Sequence, residues 1–461
     1  GRCATDRGNG GRCIPQITHE EHFADGLQAR TAMRATLNKQ NYTSASVLAA
    51  EWNSIWTRCW LFAGLVADLP DAGDYFVFGI GRESIVVLRD DESNIRAFYN
   101  VCQHRGNRIF TSESGSVAQV ACPYHGWRYA LDGALVEVPD AERFCPAVEK
   151  SERSLKPVQL TLWAGMVWVN MDLDAAPLEN YLGPIIDNLA PYQLENMVLT
   201  GHQTVSLDAN WKTVRDNFLE QYHVDFIHPQ HASFVDCCNS TNIVWPYGHS
   251  ATMVEGFLTN SRYPVPQKTP AHLAPLLQGL GLNPDDFDGR VHAIREAVQR
   301  QKRKVGAELG FDYSRFSDEQ VSDIWQYDIF PNTFLTLQAE EVWIYGSRPH
   351  PVDPDKCFFD KWTLQIPIEV GCDAERGLTL NPSLTVSSEA DRPEHALFSA
   401  EDVIAGEHSL TITLDQDIYY LADMQAGMHS RGFDYAVLNE DEVRVQHFHD
   451  WIKWFLAKHV M

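Results

Sequence analysis

Cys102-Gln103-His104, seventeen intervening residues, then Cys122-Pro123-Tyr124-His125 set the strongest constraint on this 461-residue chain. Each short box mixes one thiol with one imidazole, and such donors act together only if two loops converge. The chain between them must therefore double back. A glycine follows each box, Gly106 and Gly126, and lets the backbone turn tightly around a bound group. Around the boxes, residues 75–78, 84–88, 95–99 and 165–169 read as short strands, with 90–94 as a turn between two of them. The pattern predicts an all-β module that carries both boxes on loops.

Two thiolates and two imidazoles suit a tetrahedral zinc ion or a Rieske [2Fe-2S] cluster, which takes His₂ on one iron and Cys₂ on the other. Zinc knuckles more often pair like ligands, so the mixed boxes favour the cluster. A second segment is equally rich in donors: Asp216-Asn217-Phe218-Leu219-Glu220-Gln221-Tyr222-His223, then His228. It opens with a helical pattern, Trp211, Val214, Phe218 and Leu219 apolar against Lys212, Arg215 and Asp216. Two neutral imidazoles make half of an iron, copper or zinc site. The competing reading of the segment is ordinary packing of a Tyr-His pair on an amphipathic helix.

Together and in this order, the two signatures resemble those of the oxygenase (alpha) subunits of Rieske non-haem iron oxygenases, over about residues 52–454. The resemblance implies an α+β chain. A small all-β Rieske domain precedes a helix-grip (START-like) catalytic domain built on an antiparallel sheet. The divisions expected are 1–55, an N-terminal lead with helices packing on the catalytic domain; 56–172, the Rieske domain; and 173–461, the domain of the mononuclear iron. Cys102, His104, Cys122 and His125 are then the [2Fe-2S] ligands, and His223 and His228 ligate Fe(2+). Respiratory Rieske proteins carry an extra cysteine in each box; Gly106, Asn107 and Tyr124 stand here instead, which favours the oxygenase or ferredoxin type.

A facial triad also needs a carboxylate, expected from a helix near the C-terminus, with Asp415, Asp417 and Asp423 available. Asp417 is chosen because Asp417-Ile418-Tyr419-Tyr420-Leu421 resembles the family's Asp and apolar turn. Asp415 suits the first turn of a helix, where an acid is favoured anyway. Asn217 and Tyr222 match positions close to the iron, each with a competing role as a core hydrogen bonder. Glu220 matches the acid that links the two metal centres. Many ring hydroxylases carry Asp there, and Glu resembles the branch that oxidises quaternary ammonium compounds.

The resemblance implies a terminal oxygenase using O2 and NADH-derived electrons from a separate reductase, directly or through a ferredoxin. An aromatic or polycyclic substrate is the first expectation. The alternative is monooxygenation or demethylation of a quaternary ammonium compound held by an aromatic cage. A further alternative is an electron-transfer Rieske protein without oxygenase activity. Phe226, Phe234, Phe334 and Trp343, with Trp245 and Phe257, are the candidate lining of an apolar pocket, against the competing job of core packing. A homotrimer is expected, with a beta subunit as a further partner the family allows. No G-x-G-x-x-G follows a strand, so NADH is expected to bind elsewhere.

Composition narrows the remaining classes. Sixty-two acidic against 37 basic residues give a formal charge of −25, which argues against a nucleic-acid partner. The longest apolar run, 162–171, is too short to span a membrane. The start shows no signal-peptide pattern, and 1–20 read as a poorly ordered lead. Ten cysteines show no disulfide framework, so a reducing, cytoplasmic setting is expected and Cys237-Cys238 is read as incidental. Helices are expected over 24–38, 44–60, 182–189, 291–305, 399–409, 415–427 and 443–456. Strands are expected over 205–207, 333–337, 342–345 and 357–366. The insertion 257–323, with its basic, Gln-rich helix at 291–305, is read as a solvated surface feature rather than a pocket cap.

Overall fold

Strand Glu83–Arg89 is apolar on both faces, and the computed structural model, which describes residues 36–459, shows why. Ile85 and Val87 face the main hydrophobic core. Val86 and Leu88 face a second core with Phe98, Cys102, Cys122, Trp127 and Tyr129. The strand belongs to a seven-stranded sheet running Leu61–Leu65, Met166–Asn170, Pro157–Trp163, Ile95–Tyr99, Glu83–Arg89, Asp74–Ile80 and Ser114–Ser116. A three-stranded sheet of Val120–Ala121, Arg128–Tyr129 and Leu135–Glu137 holds the second Cys/His box.

The larger sheet has eight strands, in the order Thr241–Val244, Ser250–Val254, Ile324–Ile329, Thr333–Gln338, Glu341–Pro349, Cys357–Gln365, Val198–Leu207 and His395–Ser399. Every pairing is antiparallel except the last, where His395–Ser399 runs parallel to Val198–Leu207. Phe334, Tyr345 and Phe359 project from one face of this sheet and pack on Phe218. That contact lays helix Trp211–Phe218 along the sheet, with helix Ile412–Met428 beside it. Buried ion pairs fix the surroundings: Lys212 to Glu51 at 2.7 Å, and Arg215 to Asp328.

Several expected elements differ. Residues 1–20, and 24–35 of the first expected helix, lie outside the described residues; Thr36–Asn38 is a strand paired with Tyr435–Val437. The second helix runs Ala45–Glu51, passes into a π turn over Trp52–Trp56 and stops, because Trp60 leads into a sheet strand with its indole donating to the Ala176 carbonyl at 2.9 Å. The helix expected over 182–189 is two, Leu178–Leu182 and Ile185–Leu189, parted by Gly183 at φ +53 and Pro184. Only Ala400–Ile404 of 399–409 is helical. Helix Ile294–Leu309 is not a solvated surface feature: Ile294, Val298 and Val305 are buried, and Lys302 points inward onto Glu340 at 2.9 Å. The eight cysteines among the described residues are free thiols. No helix among them is long and apolar enough to cross a membrane.

Candidate functional site

The two Cys/His boxes fold into the same turn twice. The Cys102 N–H donates to the Asn107 carbonyl at 2.8 Å, and the Gly106 N–H returns to the Cys102 carbonyl at 3.0 Å. In the second box the Cys122 N–H donates to Trp127 at 2.8 Å and the Gly126 N–H returns to Cys122 at 3.0 Å. Each turn closes through a left-handed residue, Gly106 at φ +78 and Gly126 at φ +70, a region that a side chain would strain. The thiols are buried and the imidazoles sit half-buried at the tip, where the Nδ1 atoms of His104 and His125 face one another at 3.1 Å.

This donor set fits a two-iron cluster. Burial pulls the His104 pKa down, and His125 and Arg105 push it further the same way, so the ring is neutral and offers a lone pair. Burial pushes the Cys102 thiol up, against the hydrogen bond from Tyr129, so a cation is needed to hold it as thiolate. The Tyr129 hydroxyl lies 3.3 Å from Cys102 Sγ and accepts the Gln103 N–H at 3.0 Å. Trp127 stacks on His104 at 4.9 Å.

The second centre is assembled by two helices. Asn210 caps Trp211–Phe218 by accepting the Lys212 N–H, and the chain then turns so that His223 and His228 flank the short helix Val224–Ile227. Thr411 caps helix Ile412–Met428, which presents Asp417 two turns in. Asp417 Oδ1 lies 3.0 Å from His228 Nε2 and 3.6 Å from His223 Nε2. One ligand atom from each of the three residues lies within 4.8 Å of the others. This is the two-histidine, one-carboxylate donor set of non-haem iron(II) sites.

The outward ring nitrogens are also held. His223 Nδ1 bonds Glu220, which accepts the His223 backbone N–H at 3.1 Å through its second oxygen. His228 Nδ1 donates to Gln416 Oε1 at 2.7 Å. Such partners leave Nε2 of both rings for a metal and fix their orientation. Burial lowers the His223 pKa, but the hydrogen bond and charge of Glu220 and the charge of Asp417 outweigh it and raise it. Gln416 escaped the sequence reading because a glutamine beside an aspartate carries no spacing signal.

The other expected residues separate. Asp415 accepts from the Leu410 N–H at 2.9 Å and from Ser409, closing the start of its helix, and Asp423 is exposed. Asn217 lines a small cavity with Val214, Phe218, Phe359, Leu414 and Asp417. Its free space is about 10 Å³, room for about one water. Tyr222 and Phe226 are not in this cavity: they stand 47% and 63% exposed, edge to face at 5.7 Å. Phe334 is fully buried core, packed behind Phe218. Phe234 lies against His231 and His272, and Trp245 stacks on Tyr327. Phe257 occupies a left-handed bend at φ +61. Trp343 donates to Glu341 at 2.8 Å and carries the Lys361 ammonium over its ring. The aromatics that line the cavity are Phe218 and Phe359. In the run Phe358-Phe359 composition does not say which ring faces in.

Comparison with known proteins agrees with both centres. Residues 59–157 match the Rieske [2Fe-2S] domain, and residues 194–458 match the ring hydroxylating alpha subunit (catalytic domain). The glycine betaine monooxygenase oxygenase subunit of Chromohalobacter salexigens is 35% identical over 216 residues, 47% of this chain and 48% of that protein. The carnitine monooxygenase oxygenase subunit of Escherichia coli K12 is 30% identical over 312 residues, 66% of this chain and 82% of that protein. The chain thus spans about half the length of the first relative and most of the second. Among solved structures, a quaternary ammonium Rieske monooxygenase with L-carnitine superposes at TM-score 0.64 with 20% identity, covering 93% of this chain and 97% of that one. Naphthalene 1,2-dioxygenase from Rhodococcus superposes at TM-score 0.63 with 19% identity, covering 95% and 98%, and at this identity both attest the fold alone. The chain belongs to the ring-hydroxylating alpha-subunit family and carries a Rieske [2Fe-2S] domain ahead of its catalytic domain.

Proposed function

We propose that the chain is the terminal oxygenase of a multicomponent system that uses O2 and NADH-derived electrons, delivered by a cytoplasmic reductase directly or through a ferredoxin, to oxidise a quaternary ammonium substrate. The convergence of His223, His228 and Asp417 carries the oxygenase reading. The choice of Glu220 at the linking position, with relatives named for glycine betaine and carnitine, favours this substrate class over the aromatic or polycyclic one expected first.

A [2Fe-2S] cluster held by Cys102, His104, Cys122 and His125 would supply electrons one at a time, and Fe(2+) held by His223, His228 and Asp417 would supply the chemistry of dioxygen activation. The chain's own residues prepare both sites. Glu220 and Gln416 hold the tautomers of His223 and His228 so that each Nε2 is free to bind metal. Val214, Phe218, Phe359, Leu414 and Ile418 make the wall beside Asp417 apolar, which keeps water from the reacting centre. The functional divisions are 1–55, 56–172 and 173–461, supported by the pairing of Leu61–Leu65 with Met166–Asn170 inside one sheet. The working assembly is a homotrimer, and Tyr222 and Phe226 belong to its surface rather than to the substrate wall.

Substrate-stimulated oxygen uptake tests the reading. With reductase and NADH, glycine betaine, carnitine and γ-butyrobetaine should each be compared with naphthalene and anthranilate. Coupled product formation from an ammonium compound is expected. Stimulation by the aromatics alone overturns the substrate class. About two irons per chain rather than about three would return the protein to the electron-carrier reading.

A further inference from the structure

Three lysines are buried in the described residues, and two of them are ion-paired. Lys212 lies 2.7 Å from Glu51, and Lys302 lies 2.9 Å from both oxygens of Glu340. Lys361 is 5% exposed and has no such partner. Its Nζ donates to the Leu410 carbonyl at 2.8 Å and stands 5.5 Å from the centre of the Trp343 ring. No carboxylate among the described residues forms an ion pair with it. The two nearest in charge are already engaged. Glu341 accepts from Trp343, from Ser383 at 2.8 Å and from Gln365 at 3.1 Å; Asp415 accepts from Leu410 and Ser409. An ammonium buried without a counter-ion is costly to keep.

Its position is informative. Lys361 lies on strand Cys357–Gln365 two residues from Phe359, so both project from the same face of the sheet, the one that lines the cavity beside Asp417. Directly across, on the neighbouring strand, is Tyr345, whose ring packs on Phe218 and Phe359. Leu410, which holds the ammonium, precedes the helix that presents Asp417.

We propose that Lys361 anchors a carboxylate at the far end of the substrate, while the group to be oxidised lies at His223, His228 and Asp417. The proposal rests on the oxygenase reading above and narrows its substrates to acids. The face of Trp343, a candidate pocket wall in the sequence, is filled by the chain's own ammonium, so the quaternary nitrogen binds elsewhere. Burial lowers the Lys361 pKa to about 8, against the raising pull of Glu341 and Asp415, which leaves it mostly charged at neutral pH.

Calorimetry and steady-state kinetics on the metal-loaded enzyme test this with acid and ester pairs: γ-butyrobetaine and its methyl ester, anthranilate and its methyl ester. The wild type should favour an acid over its ester by about 10- to 100-fold, the worth of a hydrogen bond between charged partners. Lys361→Met should abolish the preference by raising Kd and KM for the acid far more than for the ester; Lys361→Arg should keep most of it. A preference confined to the anthranilate pair upholds Lys361 and overturns the quaternary ammonium reading instead. A wild type without preference in either pair, or one binding neither acid, overturns the anchor. So does a Lys361→Met protein with normal iron content that keeps the preference. Should that variant lose its metals, the wild-type comparison and Lys361→Arg decide alone.

Discussion

Asp415 and Asp417 stand two positions apart on one helix and face different tasks. Asp415 is spent on the Leu410 N–H and the Ser409 hydroxyl, where it closes the helix start. Asp417 is buried and points at two imidazoles. Without a cation, a carboxylate and two histidine nitrogens so placed satisfy one another only in part, which is the mark of a ligand set. Asp417→Ala is expected to lower iron from about three per chain to about two while the cluster's absorption stays intact. Asp415→Ala should keep all the iron and lose about 1 kcal/mol of stability, the usual worth of a cap. Iron analysis of both variants decides; loss of iron from Asp415→Ala with Asp417→Ala intact reverses the assignment. The donor residues were legible because thiols and imidazoles at fixed spacing admit few other uses. Gln416 and Lys361 were not, since an amide or an ammonium acquires its role only from what folding sets beside it.

At the level of elements, the strands with alternating or all-apolar texture read correctly, and the misreadings have local causes. Gly183-Pro184 split one expected helix because its apolar stripe continues across the break. The basic helix Ile294–Leu309 looked solvated because Lys302 counts as surface in any sequence pattern, while Glu340, its partner, lies 38 residues away. Some elements are joined by single buried polar side chains that no pattern reports. His249, leading into strand Ser250–Val254, donates through Nε2 to the Tyr181 carbonyl at 2.8 Å and accepts the Phe330 N–H through Nδ1 at 3.0 Å. These bonds require the neutral ring. Burial first, with His447 adding to it, holds its pKa down to about 3 despite the Tyr181 bond. The unfolded chain takes up this proton near pH 6.5 and the folded chain does not. The stabilisation is therefore complete above about pH 6.5 and drains as pH falls towards 3, at up to about 1.4 kcal/mol per pH unit. Urea unfolding between pH 7 and 4 should show a slope in the wild type steeper by about one proton than in His249→Gln. Parallel slopes would mean that the ring protonates in place.

Across the whole molecule, the two centres belong to different packing units of one chain. The ring contacts of His104 and His125 run to one another, Tyr124, Trp127 and Phe144, all in the Rieske module. Those of His223 run to Glu220, His228 and Asp417. None of these contacts joins the two sets, and in the proposed trimer electrons would cross from one copy to another. The surfaces suit such a crossing. Tyr124 stands 58% exposed at the cluster tip under the Arg105 guanidinium, and Tyr222 and Phe226 stand exposed beside Glu220 and His223. A tip that fits a differently placed patch on the next copy generates a closed ring, and a ring of three is the assembly proposed. In it His125 of one subunit approaches Glu220 of the next, which already holds the His223 ring through one oxygen and its backbone N–H through the other. A carboxylate held between two imidazoles fixes both and provides a short path between the centres. Glu220→Gln keeps the size and one acceptor but removes the charge. It should retain both metal centres and the trimer, and slow oxidation of the reduced cluster by orders of magnitude in a single turnover with substrate and oxygen present. Fast oxidation in that variant would remove Glu220 from the path, and full activity from a chain that sediments as a monomer would remove the ring.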